Sequence, residues 1–308
     1  MQRFAAFCLG VILSAVIAAA QEQDFSKIQS RITKVAGNIY MIDGTGGFAG
    51  GNIGVSVGDD GILIVDDQFA PLADKIQAAL KGVTDKPVRF VLNTHFHGDH
   101  TNGNRYWGQH ATIIAHDNVR VRMATGNPDP NPDMHREPAP KVALPVITFN
   151  ETATVHVNGE DIRAVHFPHG HTDGDAVVWF TQSNVVHMGD DFFNGVFPFI
   201  DVDSGGSVQG LIKNIEEIIP QLKPDTKIIP GHGALATVDD LKKYLAFLKD
   251  TYSIVDAEVK KGRTLEQLKK EHVLAKYDNW AWDAITANDY VEVLYKDITH
   301  GKEGFRAH

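Results

Sequence analysis

Cysteine is nearly absent: the 308-residue chain has one, Cys8, and it lies in an N-terminal apolar run. The body of the chain therefore has no disulfide framework and no thiolate, and any metal chemistry there must use nitrogen and oxygen donors. A cationic surplus is missing as well. Lys and Arg number 29 against 39 Asp and Glu, a formal charge of −10. Nucleic-acid binding depends on basic side chains neutralising phosphates, so no nucleic-acid partner is expected. There is no repeat at a fixed period and no low-complexity tract, which sets aside solenoids and disordered arrays. The long uncharged run is at the start, Phe4 to Ala20 behind Arg3, closing on Ala18-Ala19-Ala20. It reads as a secretory signal peptide over residues 1–20, leaving a periplasmic or secreted protein of charge −11 with no stable membrane association. Seventeen apolar residues also approach the lower limit for a spanning helix, so an uncleaved anchor is the alternative. Residues 21–308 are long enough, at 43% hydrophobic residues for the whole chain, for a single globular domain.

What the chain does have is histidine, and it is grouped. After the apolar run Val88 to Leu92, a short buried strand by pattern, the segment Thr94-His95-Phe96-His97-Gly98-Asp99-His100 places three imidazoles and a carboxylate within six positions. Imidazole and carboxylate are ordinary first-row metal ligands, and Gly98 lets the backbone bend so that several side chains aim at one point. The competing role for Asp99 is a helix cap. Three more candidates stand in similar settings: His171 in Pro168-His169-Gly170-His171-Thr172, Asp190 after Val185 to Gly189, and His232 in Pro230-Gly231-His232-Gly233. Each follows an apolar stretch and is flanked by glycine, so strand-end turns would carry them to one rim of a sheet. His116, His135, His156, His166 and His187 lack such a context and read as surface or packed histidines.

The remaining pattern is layered. Runs at Ile32 to Val35, Ile39 to Ile42, Ile53 to Val57 and Ile62 to Val65 predict an antiparallel meander, with Asp59-Asp60-Gly61 a hairpin turn. Between the second and third runs, Gly44 to Gly51 contains five glycines and one aromatic, Phe48; it reads as a hairpin tip or as a flap whose Phe48 covers substrate. Asp66 is the candidate to accept a proton from the outer ring nitrogen of a ligand histidine, and Asp67 a candidate cap for a helix over Pro71 to Leu80. Strands are further predicted at Ile113 to Ala115, from Val142, at Thr152 to Val157, Ile162 to Phe167, Ala176 to Phe180, Val185 to Met188 and Lys227 to Ile229. Helices are predicted at His116 to Ala124, Val208 to Ile219, Val238 to Val259, Leu265 to Lys270 and Ala284 to Ile298. Gly126 to Pro140, with five prolines, reads as an insertion loop over one edge of the site.

The spacing His-x-His-x-Asp-His followed by His171, Asp190 and His232 resembles the metallo-β-lactamase-fold hydrolase superfamily, over about Ile32 to His232. The resemblance implies an α/β fold, a four-layer α/β/β/α sandwich with its metals at one edge between the sheets. It implies that His95, His97 and His171 hold one divalent ion, that Asp99, His100 and His232 hold a second, and that Asp190 bridges them, with His169 the nearest rival to His171. It also implies a bridging hydroxide that attacks a carbonyl carbon, oriented by Asp99 as the catalytic carboxylate. Zinc suits the imidazole-rich set, and iron or manganese suits its carboxylates.

The chain departs from the named branches. The cysteine-ligand β-lactamases carry a thiolate where Asp190 stands and a lysine three residues later, where this chain has Phe193. Glyoxalase II shares the ligand set, but its basic glutathione-binding residues have no visible match. Persulfide dioxygenases use one iron and fewer ligands. The expectation is a secreted dinuclear hydrolase of a small-molecule substrate, with β-lactam-type amides first because export places it where such antibiotics act. Lactone or thioester hydrolysis, and a non-catalytic metal-binding accessory role, are the alternatives. Phe192, Phe193, Phe197 and Phe199 either line a pocket or pack the core.

Overall fold

The computed structural model describes residues 24–126 and 137–304. The apolar N-terminal run, His135 and most of the proline-rich loop lie outside the described residues.

The meander forms because each apolar run alternates and each gap turns sharply. Strands β1 (Gln29–Ala36), β2 (Ile39–Thr45), β3 (Ile53–Gly58) and β4 (Gly61–Val65) pair antiparallel in order. Gly58 faces Gly61 across the third hairpin, so Asp59-Asp60 is its two-residue turn, and Gly61 takes the positive φ of 107° that closes it. Helix α1 (Ala73–Lys81) then crosses to β5 (Val88–Leu92). The short helices α2 (Gly98–Thr101) and α3 (Asn104–Trp107) lead to β6 (Thr112–His116), and α4 (Asp117–Thr125) precedes β7 (Ile147–Phe149). These complete a seven-stranded sheet in chain order, parallel from β4 onward.

The second sheet is built from β8 (Thr152–Val157), β9 (Glu160–His166), β10 (Ala176–Phe180) and β11 (Val185–His187). After β12 (Phe193–Asn194) and α5 (Val208–Ile218) come β13 (Lys227–Ile229), β14 (His232–Gly233) and β15 (Ala236–Thr237). The order is β15-β13-β11-β10-β9-β8, while β12 and β14 form a separate parallel ribbon. Helices α6 (Val238–Lys260), α7 (Leu265–Glu271) and α8 (Ala287–Gly304) finish the chain.

Period-two alternation sorts the layers. In β4, Leu63 and Val65 face the other sheet, whereas Ile62 and Ile64 pack under α1 with Ile76 and Leu80. In β10, Val178 and Phe180 face the first sheet, and Val177 and Trp179 join the core beneath α5 and α6. Helix α5 presents Val208, Leu211, Ile215 and Ile218, all buried, at helical spacing. The result is the expected α/β/β/α sandwich.

Three local expectations are corrected. Val142 is in a single 3-10 turn, Lys141–Ala143, between Pro140 and Pro145; proline denies the ladder an N–H, so the strand starts only at Ile147. Asp67 caps no helix: α1 begins at Ala73 behind a 3-10 turn, Ala70–Leu72, and the Asp67 side chain is wholly buried against Gly103. The last helix begins at Ala287, three residues later than its pattern suggests.

Phe180 is fully buried between the sheets. Phe180→Ala is expected to destabilise the fold by about 3–5 kcal/mol, measured as the loss in urea-unfolding free energy.

Candidate metal centre

Strand ends bring the candidates together. The His95 to His100 segment follows β5 in the first sheet, and His171 lies on the loop between β9 and β10. Asp190 sits in the 3-10 turn Gly189–Asp191 after β11, and His232 three residues past β13. Strands β11 and β13 are parallel and so deliver Asp190 and His232 to the same rim. Glycine is required in these turns. Gly189 has φ 51°, and a β-carbon there would lie 2.6 Å from Thr94 Oγ1. A β-carbon on Gly231 would lie 2.0 Å from Asp190 Oδ1.

Two groups result. Donor atoms of His95, His97, His171 and Asp190 lie within 4.8 Å of one another, and so do those of Asp99, His100 and His232. The Asp190 carboxylate joins them. Its Oδ2 is 3.8 Å from His95 Nε2 and 3.5 Å from His171 Nε2, and its Oδ1 is 3.0 Å from His100 Nε2 and 3.5 Å from His232 Nε2. Asp99 Oδ2 faces His232 Nε2 at 3.3 Å and His100 Nε2 at 3.6 Å, and it is the most exposed of these side chains at 20%.

The outer ring nitrogens decide what the inner ones can do. His171 Nδ1 is 2.7 Å from the Phe199 carbonyl, His97 Nε2 is 2.9 Å from Asp201 Oδ2, and His100 Nδ1 is 2.8 Å from Asp66 Oδ2. All three partners are acceptors, so each outer nitrogen carries its ring's proton. Thr94 donates its hydroxyl to Asp66 Oδ2 at 2.8 Å and must therefore accept from His95 Nδ1 at 3.0 Å. Three inner nitrogens, those of His95, His97 and His171, are thus left as lone pairs pointing at one another, while His100 Nε2 faces Asp190 Oδ1 at 3.0 Å. Those of His97 and His171 are 2.8 Å apart, and His95 Nε2 is buried with no hydrogen-bond partner. Facing lone pairs repel unless a cation lies between them, so the donor set fits metal ions.

Electrostatics agree. Burial pulls His95 well below its ordinary value and His171 down to about 4, keeping both neutral and able to ligate. Burial alone would lower His100 and His232 too, but Asp190 and Asp99 outweigh it and raise both, His232 to about 9. Burial disfavours the Asp99 carboxylate, yet His100 and His232 hold it down at about 2. Positive charge is favoured at this spot.

A family model for the metallo-beta-lactamase superfamily matches residues 36–232, close to the Ile32 to His232 span of the sequence resemblance. The chain belongs to that superfamily. It is a metal-dependent hydrolase. A search of curated proteins found the hydroxyacylglutathione hydrolase GloC of Haemophilus influenzae, 26% identical over 166 residues, 53% of this chain and 77% of that one. Among solved structures, a metallo-beta-lactamase from Pontibacter korlensis superposes with TM-score 0.57 at 16% identity, covering 72% of this chain and 99% of that one. The DIM-1 metallo-beta-lactamase gives 0.56 at 18%, with 72% and 98% covered. At these identities the superpositions show the fold shared with the superfamily.

The second layer of the site was only partly visible in the sequence. Asp66 Oδ2 accepts from His100 Nδ1 and from the Thr94 hydroxyl, which in turn faces His95 Nδ1. Asp201 on His97 was missed, because no short spacing links residues 104 positions apart. His169, the rival to His171, is exposed and turned to the Gly205 carbonyl. His187 is fully buried and structural: its Nε2 donates to the Asn52 carbonyl and its Nδ1 accepts the Gly189 N–H. His116 and His166 stack on each other, and His156 pairs with Asp161 at the surface. The four phenylalanines split. Phe192 and Phe197 pack against Tyr244 and Tyr290, whereas Phe193 stacks on His232 and Phe199 lies beside His97. Phe48 stacks on the other face of His232, with ring centroids 5.8 Å apart. The glycine-rich loop behind it is pinned where it ends: Gly51 donates to the Asp99 carbonyl and accepts from Gln68.

Asp190→Ala is expected to lose both ions together, and His232→Ala chiefly one of two, by metal analysis of the purified protein. Asp201→Asn should weaken metal affinity by about 10- to 100-fold in a chelator titration, with the fold intact by circular dichroism.

Proposed function

We propose that the chain hydrolyses a carbonyl bond of a small molecule, a lactone, ester or thioester, at a centre where His95, His97, His171, Asp99, His100 and His232 would hold two ions, with Asp190 between the two groups. The observation that carries this reading is the pair of His and Asp donor groups that meet at one carboxylate, Asp190. When bound, divalent ions supply a hydroxide at neutral pH and polarise the carbonyl. The protein's part is geometric. Asp66, Thr94, Asp201 and the Phe199 carbonyl fix four imidazoles in the ligating tautomer, so no reorganisation is needed when substrate arrives. We assign to Asp99, the least buried carboxylate of the set, the role of orienting the attacking oxygen.

Zinc is the proposed ion on the strength of five imidazoles, with iron or manganese tolerated by the carboxylates. β-Lactam-type amides are the second reading. A lactam carboxylate calls for a basic anchor, and every ion-pair partner of Asp99 and Asp190 among the described residues is a histidine, with Phe193 stacked on His232. The name of the curated relative favours a thioester within the first reading. Export remains part of the proposal, resting on the composition of Met1 to Ala20.

Zinc-loaded protein offered an acyl lactone, a glutathione thioester and a cephalosporin is expected to cleave at least one of the first two at the greater rate. Chelation should abolish turnover and added zinc restore it; chelator-resistant turnover would refute the metal centre. N-terminal sequencing of protein expressed with its own start should begin near Gln21, and a chain beginning at Met1 would overturn signal cleavage.

A further inference from the structure

One side of the centre is polar and the other is a run of rings. Phe48 and Phe193 sandwich the His232 imidazole, at 5.8 Å and 5.1 Å with interplanar angles of 19° and 22°. Trp282 leans on His232 at 5.3 Å and on Phe48 at 6.0 Å, and Phe69 meets Phe48 at 6.1 Å. These rings come from opposite ends of the chain. Phe48 lies on the glycine-rich loop, whereas Trp282 lies 50 residues beyond the end of the family match at His232. Trp282 is also held rigidly from behind. Its Nε1 donates to the Phe197 carbonyl at 3.0 Å, Phe197 N–H donates to the Trp280 carbonyl at 2.8 Å, and Trp282 and Ile285 exchange backbone hydrogen bonds. Phe48 is 36% exposed and Trp282 and Phe69 are half-buried, so the three form an apolar rim open to whatever approaches His232.

We propose that this rim, with Trp282 as its fixed post, binds an apolar acyl or aryl group next to the scissile carbonyl and so selects hydrophobic esters, lactones or thioesters. The inference rests on the hydrolytic reading above. The chemistry of the rim narrows the class. A cationic group could stack on aromatic faces, but beside a centre built to hold two divalent ions it would be repelled. An anionic group would meet the negative π faces of the rings. A neutral apolar group meets neither cost and gains from burial against the rings.

The test uses the full mature chain loaded with zinc, as wild type, Trp282→Ala, Trp282→Phe and Phe48→Ala. Two series are measured: kcat/KM for acetyl, butyryl, hexanoyl and phenylacetyl thioesters, and calorimetric Kd for the matching carboxylic acids, which needs no turnover. In wild type, each added methylene should raise kcat/KM and tighten Kd by about two- to fourfold. Trp282→Ala should flatten both series, lowering the hexanoyl-to-acetyl ratio about tenfold, and Trp282→Phe should keep most of the slope. Phe48→Ala should flatten it partly and serves if Trp282→Ala does not fold. Equal slopes in wild type and Trp282→Ala, or no dependence on chain length in wild type, would overturn the rim. Hydrolysis without chain-length dependence would reject the rim and keep the hydrolase. Length-dependent acid binding without any hydrolysis would keep the rim and reject the reading of turnover.

Discussion

Three imidazoles, of His95, His97 and His171, aim unprotonated nitrogens at a shared space, and this is the constraint that organises the rest. Each is committed to that state from outside, by a carboxylate, a carbonyl or a hydroxyl whose own proton is already given away. Without a cation such an array is a cluster of repelling lone pairs in a buried place. With one, each lone pair becomes a bond, and Asp190 and Asp99 balance the charge.

Holding the array is demanding, and the fold meets the demand with short turns at strand ends. Gly189 and Gly231 let the Asp190 turn and the His232 turn touch: the Gly231 N–H donates to the Gly189 carbonyl at 2.7 Å, and Asn52 donates to the Gly231 carbonyl at 2.8 Å. A side chain at either glycine would push on Thr94 or Asp190. Asp66 ties the two halves of the centre together, because it holds His100 from the second group and, through Thr94, His95 from the first. His187 braces the same corner from inside the second sheet. The rim is thus a network of buried polar groups in which most members use their hydrogen-bonding capacity on a neighbour.

Around this polar floor the surroundings are asymmetric. The side of His97 and His171 is closed by the loop from Phe199 to Gly206, with Asp201 N–H donating to the His171 carbonyl at 2.9 Å. The side of His232 is bordered by aromatic rings from the first hairpins and from the C-terminal region. The donors and the indole therefore come from different stretches of chain: the strand-end turns up to His232 carry the donors, and a segment after α7 supplies the indole.

Much of this was legible in the residues themselves. Alternating apolar runs gave most strands of both sheets, helical spacing gave α5 and the last three helices, and dense His-x-His-x-Asp-His marked the loop after β5, because these signals depend on neighbours within a few positions. Local chemistry misled where burial overrode it: Asp67 looked like a cap and is interior, and Val142 looked like a strand between prolines that forbid one. What only the tertiary structure decided is who stands behind the ligands and over them. Asp201 reaches His97 across 104 positions, and Trp282 reaches His232 across 50. Ligand identity could be read along the chain because a turn sets it locally, whereas the outer partners and the rim depend on sheet packing and helix docking, contacts between segments whose separation in sequence carries no trace of their meeting.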